Sequence, residues 1–256
     1  MDKLSEVLAR ITPSETPTKD KPSNQTCSYC GNMLEPYWGA YLKEWIYPEC
    51  PCIADRELEE SRKAQIAERL AACKFGRRFV DSDFSTFEAA NDGDKKALNK
   101  AMEYVERFND SSRGLLFLGP CGTGKTHLAV AITKALIQKA VEVAFVTVAE
   151  LLSSLRATYD DTSRISEQNI LDHMGKVPML VLDDLGAEKV TDWTKDRLYL
   201  IVDRRYREAR PIIVTTNCDV KELEDHVGMR VFSRLHEMCE GVPMRGQDRR
   251  KLRRAQ

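Results

Sequence analysis

The residues with the clearest chemical meaning form a glycine-rich loop that ends in a lysine and a threonine. The segment GPCGTGKT, residues 119–126, follows the apolar run Leu115 to Leu118 and precedes a segment with helical character, HLAVAITKALI. In this strand, loop and helix context the pattern predicts a phosphate-binding loop, because backbone N–H groups and a helix N-terminus attract phosphate oxygens. We expect Lys125 to reach the β and γ phosphates and Thr126 to ligate magnesium. The residues expected to contact the nucleotide are Gly119, Pro120, Cys121, Gly122, Thr123, Gly124, Lys125, Thr126 and His127.

Two adjacent carboxylates close a second apolar run. Asp183 and Asp184 directly follow Met179 to Leu182. Ligands of open parallel sheets bind at the carboxyl ends of the strands, so we expect these acids to face the same nucleotide. Asp183 is predicted to hold the magnesium shell, and Asp184 to orient or deprotonate the water that attacks the γ phosphate. Solvated turn acids or a helix cap are the alternative interpretation.

An asparagine ends the last apolar run, PIIVTTN, residues 211–217. If this run is a strand of the same sheet, Asn217 is placed to hydrogen-bond the γ phosphate or the attacking water. Asparagine is also common in turns that follow strands, so a turn role stays open.

Four of the eight cysteines lie in two close pairs near the start of the chain. Cys27-x2-Cys30 and Cys50-x-Cys52 supply four thiolates, which is the ligand set of a structural tetrahedral zinc. The second pair has one intervening residue where two are usual. Unpaired structural cysteines are the alternative, but a module this small needs metal for much of its stability.

Five aromatic residues stand between the cysteine pairs. They are Tyr37, Trp38, Tyr41, Trp45 and Tyr47. They are either the internal packing of the small module or an exposed face for a partner protein.

The composition limits the possible functions. The 256 residues are 42% hydrophobic and 31% charged, which excludes a chain that is disordered or coiled coil throughout. Lys and Arg total 39 against 40 acidic residues, a net charge of −1, so bulk positive charge cannot hold this protein on nucleic acid. The sequence has no apolar run long enough for a membrane span, and its start lacks the apolar stretch of a signal peptide. We therefore expect a cytoplasmic protein with no membrane contact and reduced cysteines.

Apolar runs that alternate with helical segments predict the fold. The runs 115–118, 143–146, 179–182 and 212–214 are expected to be strands, and a helix is expected near Leu98 to Phe108. Continuous apolar strands separated by helices indicate an α/β domain with a parallel sheet that helices cover on both faces.

The predicted organisation has four parts. Residues 1–26 are an N-terminal helix and a flexible linker, and residues 27–54 are the zinc-binding module. Residues 55–78 form a solvated connecting helix, and residues 79–256 form the nucleotide-binding domain, with Phe79, Phe84 and Phe87 as anchors at its start.

Four strings of residues together resemble a known family. GPCGTGKTHLA, LVLDDLGAEK, IIVTTN and GMRVFSRL are similar to the DnaC/DnaI-type helicase loaders and the related IstB-like ATPases of the AAA+ class. The resemblance covers about residues 79–256. It implies a P-loop AAA+ ATPase domain with a parallel sheet flanked by helices, preceded here by the small zinc-binding module.

The resemblance also implies roles for single residues. Asp183 and Asp184 match the Walker B pair, Asn217 matches the first sensor, and Arg234 matches an arginine finger that acts on a neighbouring subunit. Most AAA+ ATPases have glutamate at the position of Asp184, and the shorter side chain suggests slow hydrolysis.

Two arginine assignments remain open in the sequence. Arg230 lies one helical turn before Arg234 and competes with it for the finger role. The basic tail resembles the region of a second sensor, for which Arg250 is favoured over Arg249, although a solvated basic end fits the composition equally well.

The function that the resemblance implies is an ATP-dependent loader, with ATP, Mg²⁺ and Zn²⁺ as cofactors. Its N-terminal module would bind a replicative DNA helicase, its ATPase domain would bind single-stranded DNA, and its subunits would associate through ATP-bridged interfaces. Residues 149–172 are long enough for the extra helix of this clade, with Arg156 and Arg164 as candidate phosphate contacts. The alternatives are an IstB-like regulator of a transposase on duplex DNA and a zinc-dependent adaptor whose nucleotide site is only structural.

Overall fold

The structure is a computed structural model, and it describes residues 20–39, 42–109, 112–159, 166–246 and 248–249. The chain divides into two compact units between Gln65 and Ile66. The helix predicted for residues 1–10, Tyr41, Arg164 and Arg250 all lie outside the described residues.

The first unit contains two short antiparallel ladders. Strand β1 (Gln25–Thr26) pairs with β2 (Met33–Leu34), and β3 (Tyr37–Gly39) pairs with β4 (Glu44–Ile46). Cys27 and Cys50 are buried in this unit, whereas the side chains of its strands are exposed or half-buried. The cysteines therefore occupy the place that an apolar core takes in a larger domain.

Helix α1 (Pro51–Ala72) crosses the boundary between the units. It starts at Pro51, earlier than the sequence pattern suggested, because proline has a suitable φ and no N–H to leave unpaired at the first helical position. None of its 22 residues, all of which the structure describes, is buried. Ile66 and Leu70, on the part of α1 within the second unit, pack against the edge of that unit's core.

The second unit is built on a parallel sheet of five strands. The strands are β5 (Gly114–Leu118), β6 (Val143–Thr147), β7 (Met179–Leu185), β8 (Ile212–Thr216) and β9 (Cys239–Pro243). They lie in the order β6-β7-β8-β5-β9, and every neighbouring pair is parallel. The parallel α/β sheet predicted from the sequence is confirmed, and each of the four predicted strands is present.

Strand β9 is the element that the sequence pattern missed. Its residues CEGVP contain a glutamate and a glycine, and only Cys239 and Val242 are buried. An edge strand needs to bury only part of its surface and tolerates proline, so it lacks the continuous apolar run of a central strand.

Seven α-helices with described bounds belong wholly to this unit, which also contains a 3₁₀ turn at Arg77–Phe79. They are α2 (Asp92–Glu106), α3 (Lys125–Gln138), α4 (Val148–Ala157), α5 (Glu167–Lys176), α6 (Asp192–Arg207), α7 (Val220–Val227) and α8 (Met229–Met238). Side chains of Asn91, Thr147, Ser166, Thr191 and Asp219 accept backbone hydrogen bonds at helix N-termini. These caps end each loop at a defined residue and so fix where the helices start.

Two apolar clusters cover the two faces of the sheet. Leu115 and Phe117 of β5 belong to the cluster with α2 and α3, whereas Leu116 between them belongs to the cluster with α4 to α8. This alternation follows from the two-residue period of a strand. Of the described helices, none is long and apolar enough to cross a membrane.

A fully buried arginine ties α6 to the start of two central strands. Arg205 donates hydrogen bonds to the carbonyls of Met174, Val177, Pro178 and Pro211. Burial lowers its pKa to about 9. Four carbonyl partners replace the carboxylate that usually accompanies a buried charge, and they hold α6 at a fixed position on the sheet.

Candidate functional site

The phosphate-binding loop lies between β5 and α3 and forms the floor of a cavity of about 400 Å³. Helix α3 begins at Lys125, directly after Gly124, which has a left-handed backbone conformation (φ 101°). The other walls come from the ends of β7 and β8, from the chain tail and from the segment before α2. The lining residues are Arg78, Phe79, Asp81, Ser82, Thr86, Glu88, Cys121, Gly122, Gly124, Lys125, Thr126, His127, Asp184, Asn217 and Arg249.

Lys125 is the centre of the polar network in this cavity. Its side chain is nearly inaccessible (4% exposed), and Nζ donates to the carbonyls of Gly119 at 2.7 Å and Pro120 at 2.8 Å. Nζ also donates to Oδ1 of Asn217 at 2.8 Å. The ammonium group is therefore held over the loop and already reaches the end of β8, where the sequence placed a polar contact.

A threonine joins the two acidic residues. Oγ1 of Thr215 donates to Asp183 Oδ1 at 2.7 Å and accepts the backbone N–H of Asp184 at 2.9 Å. Asp184 has a left-handed backbone (φ 58°) at a register shift between β7 and β8. The shift turns consecutive carboxylates in different directions: Asp183 is buried, whereas Asp184 lines the cavity.

Asp183 has the surroundings of a metal ligand. Burial raises its pKa from the ordinary value of 3.8 to about 6, while hydrogen bonds from Thr215 and Thr126 and the charge of Lys125 oppose that rise. The Thr126 hydroxyl and the Asp183 carboxylate thus meet at the end of the phosphate-binding loop. A carboxylate and a hydroxyl beside a phosphate site fit magnesium, which prefers oxygen ligands and is held by few protein groups.

Asn217 connects the lysine to the exposed acid. Besides accepting from Lys125, its Nδ2 donates to Asp184 Oδ1 at 3.3 Å. The three residues singled out from separate parts of the sequence therefore form one continuous hydrogen-bonded group. Groups on three different elements converge where the γ phosphate of a nucleotide on this loop would lie.

His127 has a role that the sequence did not specify. Its Nε2 donates to the Asp83 carbonyl at 2.8 Å, and its ring meets the edge of Phe87 with centroids 5.4 Å apart. Phe87 is buried, Phe84 packs against the same cluster, and Phe79 lines the cavity. His127 thus joins α3 to the irregular segment that closes one side of the cavity.

The chain tail runs along the phosphate-binding loop. The Met244 N–H donates to Leu118 O at 2.7 Å, and a Cβ at Gly119 would stand 1.9 Å from the Met244 carbonyl oxygen. A Cβ at Gly122 would similarly stand 1.8 Å from the Asp248 carboxylate. Glycine at these positions therefore permits the close approach of the tail as well as the turns of the loop.

Arg249 is the tail arginine at the cavity wall. Its backbone N–H donates to the Gly122 carbonyl oxygen at 3.1 Å, and its side-chain Nη2 forms an ion pair with buried Asp94 at 2.8 Å. Its guanidinium also lies over the Phe87 ring at 4.5 Å. Arg250, which the sequence pattern favoured, lies outside the described residues.

Arg234 lies outside the cavity lining of its own chain. It is on α8, and its Nη2 forms an ion pair with Asp203 of α6 at 2.8 Å. Arg230, one turn earlier, is exposed. The two candidate arginines therefore differ in environment: Arg234 is half-buried and paired with Asp203, whereas Arg230 is exposed.

The four cysteines of the first unit form one cluster. Their Sγ atoms all lie within 4.8 Å of one another, with Cys27 and Cys52 3.6 Å apart and Cys30 and Cys50 3.4 Å apart. None is in a disulfide. Zinc bonded to four thiolates at about 2.3 Å requires S···S separations near 3.8 Å, so the donor set fits a tetrahedral zinc.

The local backbone explains how both cysteine pairs reach one point. Cys27 O accepts the N–H of Gly31 at 3.0 Å, which closes a tight turn around the first pair. Cys50 immediately precedes α1 and Cys52 lies in its first turn. The start of the helix therefore brings the two thiols close together although only Pro51 separates them in sequence. Backbone N–H groups of Cys30 and Tyr29 lower the pKa of Cys27 to about 6, which favours the thiolate that binds metal at this position. The neighbouring Cys50 thiol and burial raise the pKa of Cys52, and burial with the nearby thiols raises the pKa of Cys50.

The aromatic residues of the first unit divide between packing and exposure. Trp38 and Trp45 meet edge to face across β3 and β4, with ring centroids 5.6 Å apart. Tyr47 donates to the Ser23 carbonyl at 2.6 Å, whereas the Tyr37 side chain is exposed. The internal-packing interpretation therefore applies to Trp38, Trp45 and Tyr47, and a partner-binding role for the exposed Tyr37 stays a prediction.

Three residues of these networks were not identified from the sequence. Thr215 lies inside an apolar strand, and Asp203 and Asp94 lie among the charges of amphipathic helices. The sequence does contain a signal for Thr215. It is a polar residue near the carboxyl end of an apolar central strand, and that end of the strand lies at the ligand-binding edge of the sheet. For the two aspartates the spacing gives no signal, since their arginine partners are distant in sequence.

Comparisons with known proteins give consistent results. Residues 52–256 match the family described as IstB-like ATP binding protein. The Replicative helicase loader DnaC of Buchnera aphidicola subsp. Schizaphis graminum is 32% identical over 194 residues, which are 76% of this chain and 79% of that protein.

Two solved structures are also similar. The crystal structure of the DnaC helicase loader has 30% identity and a TM-score of 0.61, and covers 66% of this chain and 100% of that one. The crystal structure of DnaI has 29% identity and a TM-score of 0.58, and covers 68% of this chain and 93% of that one.

Proposed function

The chain belongs to the IstB/DnaC family of AAA+ ATP-binding proteins, and on that premise we propose that it is an ATP-dependent loader of a replicative DNA helicase. The observation that carries the nucleotide part is the continuous group of Lys125, Asn217 and Asp184 in the cavity. The loading part rests on the relatives, one of which is named a replicative helicase loader.

The phosphate-binding loop would hold the nucleotide phosphates. Lys125 exchanges its contact with Asn217 for the β and γ phosphates, and the backbone N–H groups of residues 119–126 with the start of α3 surround the remaining oxygens. Asp183 and Thr126 would hold magnesium, which would neutralise phosphate charge when bound. Arg249 lines the nucleotide cavity and acts as the second sensor.

Asp184 and Asn217 would carry the hydrolytic step. Asp184 orients the attacking water and accepts its proton, and Asn217 donates from its amide to keep that carboxylate directed at the cavity. An aspartate reaches less far than a glutamate, so slow hydrolysis is expected. Arg234 of a neighbouring subunit supplies the positive charge that stabilises the transition state.

The first unit would bind the helicase. Zinc on its four cysteines would stabilise a unit that has little apolar core. Among the described residues of this unit, the large apolar side chains that are exposed are Tyr29, Met33, Tyr37, Leu42 and Leu58. Exposed aromatic and methionine side chains on a small rigid unit are typical of a protein-binding surface.

The second unit would contact single-stranded DNA near α4. The guanidinium of Arg156 lies over the Trp193 ring at 4.8 Å, and that of Arg197 lies over it at 5.7 Å. Trp193 also donates to the hydroxyl of Tyr159, whose side chain is exposed. Arginine and aromatic groups together suit unpaired bases and their phosphates. Arg164, the other candidate contact, is outside the described residues.

Co-purification with the helicase tests this function. The chain is mixed with the replicative helicase of its own source, with and without ATP, and the complex is isolated by gel filtration. We expect a stable complex that is weakened in Cys27→Ser/Cys30→Ser and kept in Cys218→Ser, the control outside the cluster. Failure of the wild-type chain to co-elute under either condition would contradict the proposal.

A further inference from the structure

Arg234 is enclosed by side chains of its own subunit. Its Nη2 lies 2.8 Å from Asp203 Oδ1, and its guanidinium lies over the rings of Tyr199 at 5.0 Å and Tyr206 at 5.3 Å. The Arg234 side chain is 24% exposed and the Asp203 side chain 17%. Contacts within its own subunit therefore hold the Arg234 side chain in the absence of a neighbouring subunit.

The hydrogen bonds fix the plane of the guanidinium. Nη1 donates to the Arg230 carbonyl at 3.1 Å, and Nε is buried. Arginine has five N–H groups, so the Nη atoms keep further hydrogens after these contacts are made. Contacts through Nη1 and Nη2 therefore hold the guanidinium, while part of the Arg234 side chain stays accessible to solvent.

Asp203 is itself held in place. Its Oδ2 forms an ion pair with Arg207 Nε at 3.1 Å on the same helix. Tyr199, Asp203 and Tyr206 follow the spacing of one helical face, which directs all three toward α8. The carboxylate therefore contacts two arginines, one on its own helix and one on α8.

We propose that Asp203 is the positioning residue for Arg234. It holds the guanidinium, between the two tyrosine rings, in the orientation from which its remaining N–H groups reach the γ phosphate of ATP bound to the neighbouring subunit. This inference rests on the trans role of Arg234 in the proposed function. Orientation before assembly matters because an unrestrained arginine has many rotamers, and misplacement of a reacting group is costly in rate.

Asp203→Asn tests the inference in the full-length chain, with helicase and single-stranded DNA present to give the stimulated rate. We expect Asp203→Asn to lower the stimulated turnover by roughly tenfold or more. The ATP concentration that gives the half-maximal rate should be nearly unchanged. Asp203→Glu, which keeps the charge, should recover part of the rate. The matched control is Asp196→Asn, an exposed aspartate on the same helix, which should behave as wild type.

Mixed assemblies separate positioning from a merely structural role. Asp184→Asn subunits have a defective site of their own but an intact Asp203–Arg234 pair. Adding them to Asp203→Asn subunits should raise the turnover per Asp203→Asn subunit, because each mixed interface can combine a sound Asp184 with a sound Arg234. A lowered rate that mixing does not restore, accompanied by a lowered unfolding temperature, would overturn the inference in favour of a structural link between α6 and α8.

Comparison with Arg234→Ala separates failure of the inference from failure of its premise. If Arg234→Ala loses the stimulated rate while Asp203→Asn keeps it, the positioning role is wrong and the trans role stands. If both variants keep the stimulated rate, the trans role of Arg234 is wrong as well, and exposed Arg230 becomes the candidate.

Discussion

The ammonium group of Lys125 lies 2.8 Å from the side-chain oxygen of Asn217, and this contact joins the phosphate-binding loop to the end of β8. A phosphate oxygen can make the same contact with the ammonium group. In the proposed function, nucleotide binding would replace this lysine contact and leave Asn217 to face the γ phosphate.

Lys125→Ala should weaken ATP binding by at least about tenfold, since it removes a charge-assisted hydrogen bond at a buried site. Calorimetric titration with MgATP measures the change. Lys134→Ala, on the same helix but away from the loop, should bind as wild type. An ATP affinity unchanged by Lys125→Ala would refute the assignment of the loop.

Thr215→Val should retain nucleotide binding but lower turnover and stability. Valine keeps the shape of threonine, but it removes the donor to Asp183 and the acceptor for the Asp184 N–H. A buried N–H without a partner costs about 1–3 kcal/mol in the free energy of unfolding. Thr133→Val is the control, because that equally buried hydroxyl only donates to a carbonyl of its own helix. Equal effects of the two substitutions would contradict a special role for Thr215.

Asp183→Asn should stabilise the protein when nucleotide and magnesium are absent. A folded-state pKa of about 6 against an ordinary 3.8 means that folding favours the neutral acid, so this favourable contribution is complete below pH 3.8 and is lost as pH rises through about 6. At pH 7.5 the neutral amide should therefore add roughly 2–3 kcal/mol to the free energy of unfolding, and the difference should disappear near pH 4. Urea unfolding with EDTA at both pH values measures it. A variant less stable than wild type at pH 7.5 would show that the charged form of Asp183 is not disfavoured.

The purified chain should contain one zinc per molecule. The sulfur separations of 3.4 and 3.6 Å in the two opposed pairs suit tetrahedral thiolate coordination. Elemental analysis under reducing conditions should give a stoichiometry near one, lost in Cys27→Ser/Cys30→Ser and kept in Cys218→Ser. Chelation should also remove the near-ultraviolet dichroism of the Trp38–Trp45 pair, because metal supplies much of the stability of that unit. Zinc retained by the double variant would contradict the site.

The sequence predicts those parts of the site that depend on local patterns. The phosphate-binding loop, Asp183, Asp184 and Asn217 each follow an apolar run, and parallel pairing brings the ends of those runs to one edge of the sheet. The contribution of Thr215 depends instead on the β7–β8 register shift, which no local spacing specifies. The pairs Asp203–Arg234 and Asp94–Arg249 depend on the packing of distant segments, and β9 lacks an apolar run because it lies at the edge.

Delivery of a helicase to DNA is the central claim, and retention of the helicase on circular single-stranded DNA measures it most directly. Helicase, circular DNA and MgATP are incubated with the wild-type chain, with Lys125→Ala or with no loader, and helicase that co-elutes with the DNA is quantified. The account predicts that the wild-type chain raises the DNA-bound helicase severalfold and that Lys125→Ala does not. An equal amount of DNA-bound helicase in all three mixtures would contradict it.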